Sequence, residues 1–242
     1  MKKDRIDKII SSQGLLSRSE VKLLIKKGLV SVNGICVTDS GFKASYEDDI
    51  TVDGQPLNSS EFTYIMLNKP KGVVSASDDK KDVTVVDILP DELKRKRLFP
   101  AGRLDKDTTG FSLITDDGDF AHRILSPARH VKKTYLARVS GRIDLERAIK
   151  AFEEGVVLGD GTVLLSAGLE LLEDADEPLF KVVIKEGKYH QIKRMFLTLG
   201  VSVTELKRVA IGGLRLDETL EPGQARLLSK DELDLIENGE LN

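Results

Sequence analysis

Tryptophan is absent from this chain of 242 residues, cysteine occurs once, at Cys36, and histidine only at positions 122, 130 and 190. A lone cysteine excludes any disulfide within the chain, and three scattered histidines leave no zinc-ligand spacing. Repeats, low-complexity tracts and glycine-rich nucleotide loops are missing as well. No apolar run approaches the roughly 20 residues that span a bilayer. The opening Met-Lys-Lys-Asp-Arg leads into no signal-type apolar core. The expectation is a cytoplasmic protein with no membrane partner.

What is present is ordinary for a folded protein: 32% charged and 40% hydrophobic residues. The length suits a short module followed by a larger domain, here divided as residues 1–58 and 59–242. A net charge of −3 argues weakly against a nucleic-acid partner, but the distribution outweighs the total. Lys2, Lys3, Arg5, Lys8, Arg18, Lys22, Lys26 and Lys27 face only Asp4, Asp7 and Glu20 in the first helical region. Further basic groups occur at 94–97, 129–133 and 188–194, whereas the acids gather at 116–119, 173–177 and the tail. A basic run is more often a solvated face than a nucleic-acid site, so this supports an RNA partner without establishing one.

Periodicity predicts a helix over 4–12 with Ile6, Ile9 and Ile10 on one side. Ser17 and Glu20 form a capping box that opens a second helix burying Val21, Leu24 and Ile25. Gly28 ends that helix, and its opposite face carries Arg18, Lys22 and Lys26. Val30 to Val37 reads as a hairpin around Asn33-Gly34, and 53–61 as a linker. The larger part opens with a strand over 62–67 that turns at Lys69-Pro-Lys-Gly72, a structural turn. Strands are expected at 112–115, 134–140, 164–172 and 180–185, with helices near 119, over 144–154 and over 188–199. A final capping box falls at Ser229 and Glu232. Strands predominate and helices interrupt them irregularly, which predicts an α+β fold with a mixed, mainly antiparallel sheet.

The most informative segment runs from Ala101 to Gly110, Ala-Gly-Arg-Leu-Asp-Lys-Asp-Thr-Thr-Gly. Asp105 has an arginine, a lysine and hydroxyls nearby, so it can be kept ionised and aimed as a nucleophilic carboxylate must be. A solvated loop with two unpaired acids is the plain alternative.

Gly-Arg-Leu-Asp with Asp-Thr-Thr-Gly and Leu-Ile-Thr-Asp-Asp-Gly (113–118) resembles the nucleophile motif of the pseudouridine synthases. Lys-Lys-Thr-Tyr (132–135) and Glu-Gly-Lys-Tyr-His-Gln-Ile-Lys-Arg-Met (186–195) agree with it downstream. The nearest branch modifies ribosomal RNA and carries an S4-like domain in front, which the helix, helix and Gly-Leu-Val-Ser-Val-Asn-Gly element also resembles. The resemblance implies Asp105 as the catalytic aspartate and Lys193 as the cation beside it, where relatives often have Arg. It implies Tyr135 as a ring that stacks on the flipped uracil and helps remove a proton, and Arg103 as the group that fills the gap the base leaves. Without the motif, Tyr135 would read as core. Arg5, Arg18, Lys22 and Lys26 become candidate RNA contacts. The isomerisation involves no redox change, so no cofactor is needed. The implied partner is ribosomal RNA or a ribosomal-subunit assembly intermediate. Tyr-His-Gln at 189–191 resembles the small-subunit (16S) subgroup, whereas large-subunit (23S) relatives tend to have Asn-Arg-Gln. No assembly element stands out, and a monomer is expected.

Three rivals remain at this stage. Asp105-Lys-Asp-Thr-Thr109 formally fits the Asp-x-Asp-x-Thr of haloacid-dehalogenase-type phosphatases, but Pro100 to Arg103 is poor material for the buried strand that motif should end. A glycosidase using Asp105 and Asp107 suffers because alternate residues of an extended chain point apart. A non-enzymatic RNA-binding or ribosome-assembly factor would account for the S4-like module alone, with no need of Asp105, Tyr135 and Lys193 together.

Overall fold

A computed structural model describes residues 3–57, 59–129 and 131–241. Asn58, where the linker expectation and the division at 58 fall, lies outside the described residues, as do Lys2 and His130. The chain forms two compact units, Met1–Thr63 with Pro90–Leu98, and Tyr64–Leu89 with Phe99–Asn242. The first unit therefore differs from the sequence division by taking back a later segment. Within it, Arg95 Nη1 donates to Ser60 Oγ at 3.1 Å.

The first unit contains β1 (Lys3–Arg5), α1 (Ile6–Ser12), α2 (Arg18–Lys26), β2 (Val30–Val32), β3 (Ile35–Cys36), β4 (Lys43–Ser45), β5 (Ile50–Val52) and β6 (Gln55–Pro56). The helix expected from Asp4 starts at Ile6 instead, because Lys3 to Arg5 pair antiparallel with β4. Ser17 caps α2 through the reciprocal bonds with Glu20 that its spacing predicts. Asn33 and Gly34 both take positive φ, the turn that matches strand twist. The 53–61 linker is corrected in its first part. Asp53 and Gly54 make a second such turn, joining β5 to β6. Ile6, Ile9, Ile10, Val21, Ile25, Val30, Val32 and Ile50 form one core.

The second unit contains β7 (Tyr64–Lys69), β8 (Phe99–Pro100), β9 (Thr109–Thr115), α3 (Gly118–Leu125), β10 (Lys133–Val139), α4 (Leu145–Glu154), β11 (Gly168–Glu173), β12 (Leu179–Ile184), α5 (Gln191–Thr198), β13 (Val203–Ile211), β14 (Leu214–Arg215), β15 (Ala225–Leu227) and α6 (Lys230–Asn238). Among the described residues its strands make one nine-stranded sheet, ordered β11-β12-β10-β13-β9-β7-β15 with β14 and β8 beside β13 and β9. Every pairing in it is antiparallel except β13 with β9. The α+β, mainly antiparallel expectation therefore holds. Two apolar clusters flank the sheet. One packs α4 and α5 on Ala137, Val139, Phe180 and Val182, and the other packs α3 and α6 on Phe111, Leu113 and Ile211.

Two features that position the site were not foreseen. β13, nine residues long, is the pivot between β10 and β9 and was not expected at all. The helix expected from Lys188 begins only at Gln191. His190, its N-cap, sits in the left-handed region at φ 48° and ψ 35°, so it does not share a helical face with Lys193 and Arg194.

Candidate active site

The loop between β8 and β9 is built from below by one buried side chain. Lys69, at the end of β7, is fully buried. Its Nζ donates to the carbonyls of Thr108 at 2.7 Å, Asp105 at 3.1 Å, Pro70 at 3.2 Å and Lys106 at 3.3 Å. Burial pulls its pKa down to about 8, against the opposing pull of Asp107 and Asp105. Ser75 Oγ donates to Leu104 O and accepts from Leu104 N, both at 3.0 Å. Thr108 N closes a turn onto Asp105 O at 3.1 Å. β9 then leaves the loop close against β13. A Cβ on Gly110, where φ is +94°, would lie 2.2 Å from Arg208 O, so only glycine fits.

The turn brings both acids of the motif to one cation. Lys193 Nζ stands 3.1 Å from Asp105 Oδ2 and 2.6 Å from Asp107 Oδ1. His190 Nε2 lies 3.5 Å from the other oxygen of Asp105. Burial depresses the Lys193 pKa, but its hydrogen bonds to Asp107 and Asp105 outweigh that and raise it. The same ammonium holds the carboxyl of Asp107 below its usual range. The expected divergence of Asp105 and Asp107 is thus corrected. The segment is a turn rather than an extended strand, and the two carboxylates converge. A glycosidase needs one carboxyl kept protonated near neutrality, and Asp107, lowered by the lysine, does not provide it. The phosphatase reading fails on topology, because the motif precedes β9 instead of ending a parallel strand, and β8 before it is only two residues long.

Asp105, Arg103, His190 and Lys193 line a cleft of about 800 Å³ together with Lys71, Lys106, Lys188 and Tyr189. A smaller recess of about 60 Å³ is shared by Asp105, Arg103 and Tyr135 with Thr108, Ile192 and Leu206. Tyr135 is buried on β10 and faces Arg208 of β13 across the sheet. Arg103 is exposed and has no hydrogen-bond or ion-pair partner among the described residues.

The four basic residues expected to touch RNA divide into two kinds. Arg5 and Arg18 each grip Asp7 with two bonds, Arg5 at 3.1 and 3.0 Å and Arg18 at 3.2 and 3.1 Å. Asp7 itself is fully buried. Lys22 and Lys26 are exposed on α2, with no partner among the described residues.

Sequence reasoning missed three contributors. Lys69 was assigned to a turn. His190 marked only a subgroup. Arg208 sits on the strand that was not anticipated, is buried, and donates from Nε to Phe111 O at 2.7 Å. The signal for Lys69 was its place at the end of an apolar strand, where a lysine is buried only if its ammonium is satisfied.

A basic two-helix module and a sheet that aims an ion-paired aspartate into a cleft define an RNA-modifying enzyme of the aspartate type. Comparison with known proteins agrees. The S4 domain family matches residues 4–50, and the family described as RNA pseudouridylate synthase matches residues 63–198. An uncharacterized RNA pseudouridine synthase of Bacillus subtilis (strain 168) is 43% identical over 236 residues, covering 96% of this chain and 98% of the relative. The ribosomal small subunit pseudouridine synthase A of Escherichia coli (strain K12) is 41% identical over 230 residues, covering 95% and 98%. A crystal structure of a pseudouridylate synthase superposes with a TM-score of 0.66 at 39% identity, covering 96% of this chain and 99% of that one. The chain belongs to the RNA pseudouridylate synthase family.

Proposed function

We propose that the protein converts a uridine of small-subunit (16S) ribosomal RNA to pseudouridine, with Asp105 as the attacking or cleavage-assisting carboxylate. The observation that carries this is the contact of Asp105 with Lys193 inside a cleft that Arg103 also lines, with Tyr135 in the small recess that Asp105 and Arg103 share. The reaction breaks the bond from ribose C1′ to uracil N1, turns the base and joins C5 to C1′, with loss of the C5 proton and protonation of N1. Extruding the uridine costs a few kcal/mol, which phosphate contacts from Lys22 and Lys26 help to offset. Lys193 keeps a compensating positive charge against the reacting carboxylate. In this reading the Tyr135 ring stacks on the detached base and its hydroxyl takes part in removing the proton at C5, a role supported by the recess it shares with Asp105. Arg103, with its guanidinium unpaired among the described residues, suits the space the base vacates. The small-subunit substrate is supported by the name of the Escherichia coli relative and by the Tyr-His-Gln form of residues 189–191. A ribosomal RNA substrate accords with a cytoplasmic enzyme.

Asp105→Asn tests the assignment. Carbodiimide adducts mapped along small-subunit RNA with wild-type protein show one new pseudouridine. The variant leaves that uridine unmodified while binding RNA within a few-fold of wild type. Unchanged modification by the variant removes Asp105 from the chemistry, and a new adduct only in large-subunit RNA reassigns the substrate.

A further inference from the structure

At the mouth of the cleft an aromatic ring is held out to solvent with no role in the fold. Tyr189 is 76% exposed. Its hydroxyl has no hydrogen-bond partner among the described residues. Its inner face stacks on the imidazole of His190, with centroids 3.8 Å apart and planes 18° from parallel. Its outer face is open.

The geometry that presents this ring is constrained rather than incidental. His190 has left-handed backbone at φ 48°, which non-glycine residues hold only where neighbours impose it. The imposing contacts centre on two buried side chains. Glu186 Oε1 accepts from Leu165 N at 2.8 Å and from Gln191 Nε2 at 3.1 Å, and Gln191 Oε1 accepts from Lys188 N at 2.9 Å. Glu186 and Gln191 are 7% and 4% exposed. Locked in this way, the turn sets His190 Nε2 3.5 Å from Asp105 and stacks Tyr189 on a face of the same imidazole. The two rings thus lead from the cleft mouth to the reacting carboxylate.

From this we infer that Tyr189, backed by His190, is a stacking platform for an unpaired base next to the uridine being modified. The inference rests on the Asp105-centred reading of the cleft. When a uridine is drawn out of the RNA stack, its neighbour loses a partner, and an exposed aromatic face can replace it. Lys71 on the same cleft supplies a cation for an accompanying phosphate, whereas Lys106 and Lys188 are paired with Asp82 and Glu186. Stacking is tolerant of base identity, so the platform serves affinity and placement of the strand and does not read a sequence.

The test uses full-length protein and a small-subunit ribosomal RNA transcript carrying uridine tritiated at C5. Affinity is read by filter retention, and chemistry by tritium release in single turnovers at saturating protein. Tyr189→Leu weakens RNA binding about tenfold, in keeping with the loss of one base–aromatic stack. Its saturated single-turnover rate stays within about threefold of wild type, and its Tm is unchanged. Tyr189→Phe binds as wild type, because the ring acts and the hydroxyl does not. Equal affinity of the Leu variant and wild type would overturn the proposal. So would a Phe variant as weak as the Leu variant, which would mark a hydroxyl contact. Repeating the affinity arm in Asp105→Asn protein separates the two readings. The Tyr189 effect persists there when the platform is real, and that result is independent of whether Asp105 proves to be the reacting group.

Discussion

The ammonium of Lys193 stands 3.1 Å from a carboxylate oxygen of Asp105 and 2.6 Å from one of Asp107, so one cation serves two acids of the same turn. The acids are not equivalent. The Asp105 side chain is 25% exposed, whereas that of Asp107 is 58% exposed. A charge contact in the more enclosed position is less screened and has greater effect on a transition state.

Lys193→Met should therefore lower the single-turnover rate about a hundredfold, the usual loss on removing one preorganised electrostatic partner, while RNA affinity changes little. Asp107→Asn should stay within about fivefold of wild type, because Lys193 then serves Asp105 alone. Tritium release from C5-labelled RNA measures both. A deeper loss in Asp107→Asn than in Lys193→Met would reverse the roles given to the two acids.

Lys69 supports the same turn from beneath, through carbonyls of Pro70, Asp105, Lys106 and Thr108. Lys69→Met keeps the volume but removes this donor. Asp105 O and Lys106 O retain Thr108 N and Gly72 N, whereas Pro70 O and Thr108 O lose the bond, each at a desolvation cost of about 1–3 kcal/mol unless the loop opens to water. The expected outcome is a protein that folds with a lower urea midpoint and has lost at least tenfold in rate. Amide hydrogen exchange should rise across 103–108 and remain low in β10 and β12. Uniform protection across that loop would show that Lys69 does not hold it.

What the sequence made legible was local. The Ser17–Glu20 box, the Asn33-Gly34 turn and the Ser229–Glu232 box all appear where their spacing requires. Each depends on residues within four positions of one another, so no distant packing can overrule it. The Asp105 motif was equally visible because its chemistry is written in consecutive residues. β13 was not, since Lys207 and Arg208 interrupt its apolar pattern. Arg208 is buried with its Nε donating a hydrogen bond to Phe111 O, 97 residues earlier. The left-handed His190 was invisible for the same reason. Glu186, Leu165 and Gln191 create that turn together, and residue 165 is remote in the chain.

The buried carboxylate of the first unit yields a pH prediction. Burial alone would raise the pKa of Asp7, but the bidentate grips of Arg5 and Arg18 overcome it and bring the group from 3.8 to about 2. A carboxyl lowered on folding adds stability that is complete above its unfolded pKa and disappears as pH falls to its folded one. The window is about pH 4 down to pH 2, and the contribution is on the order of 2 kcal/mol. Urea unfolding of wild type should weaken across that window by at least this amount. Asp7→Asn should be less stable at pH 7 and should show a shallower slope, since Asp160 and Asp217 are lowered as well.

Because Asp7 already occupies Arg5 and Arg18, the phosphate-binding load in this unit falls on Lys22 and Lys26, one helical turn apart on the open face of α2. Each phosphate contact releases counterions and steepens the dependence of affinity on salt by about one unit of logarithmic slope. The double change Lys22→Gln with Lys26→Gln should lower RNA affinity about tenfold at 0.1 M salt and reduce that slope by about 1.5–2. The saturated turnover rate should be untouched, because neither lysine lines the cleft. Filter retention over a salt series measures this directly. A slope that stays at the wild-type value would mean that this face of the helix does not meet the backbone, and that RNA approaches the unit from another side.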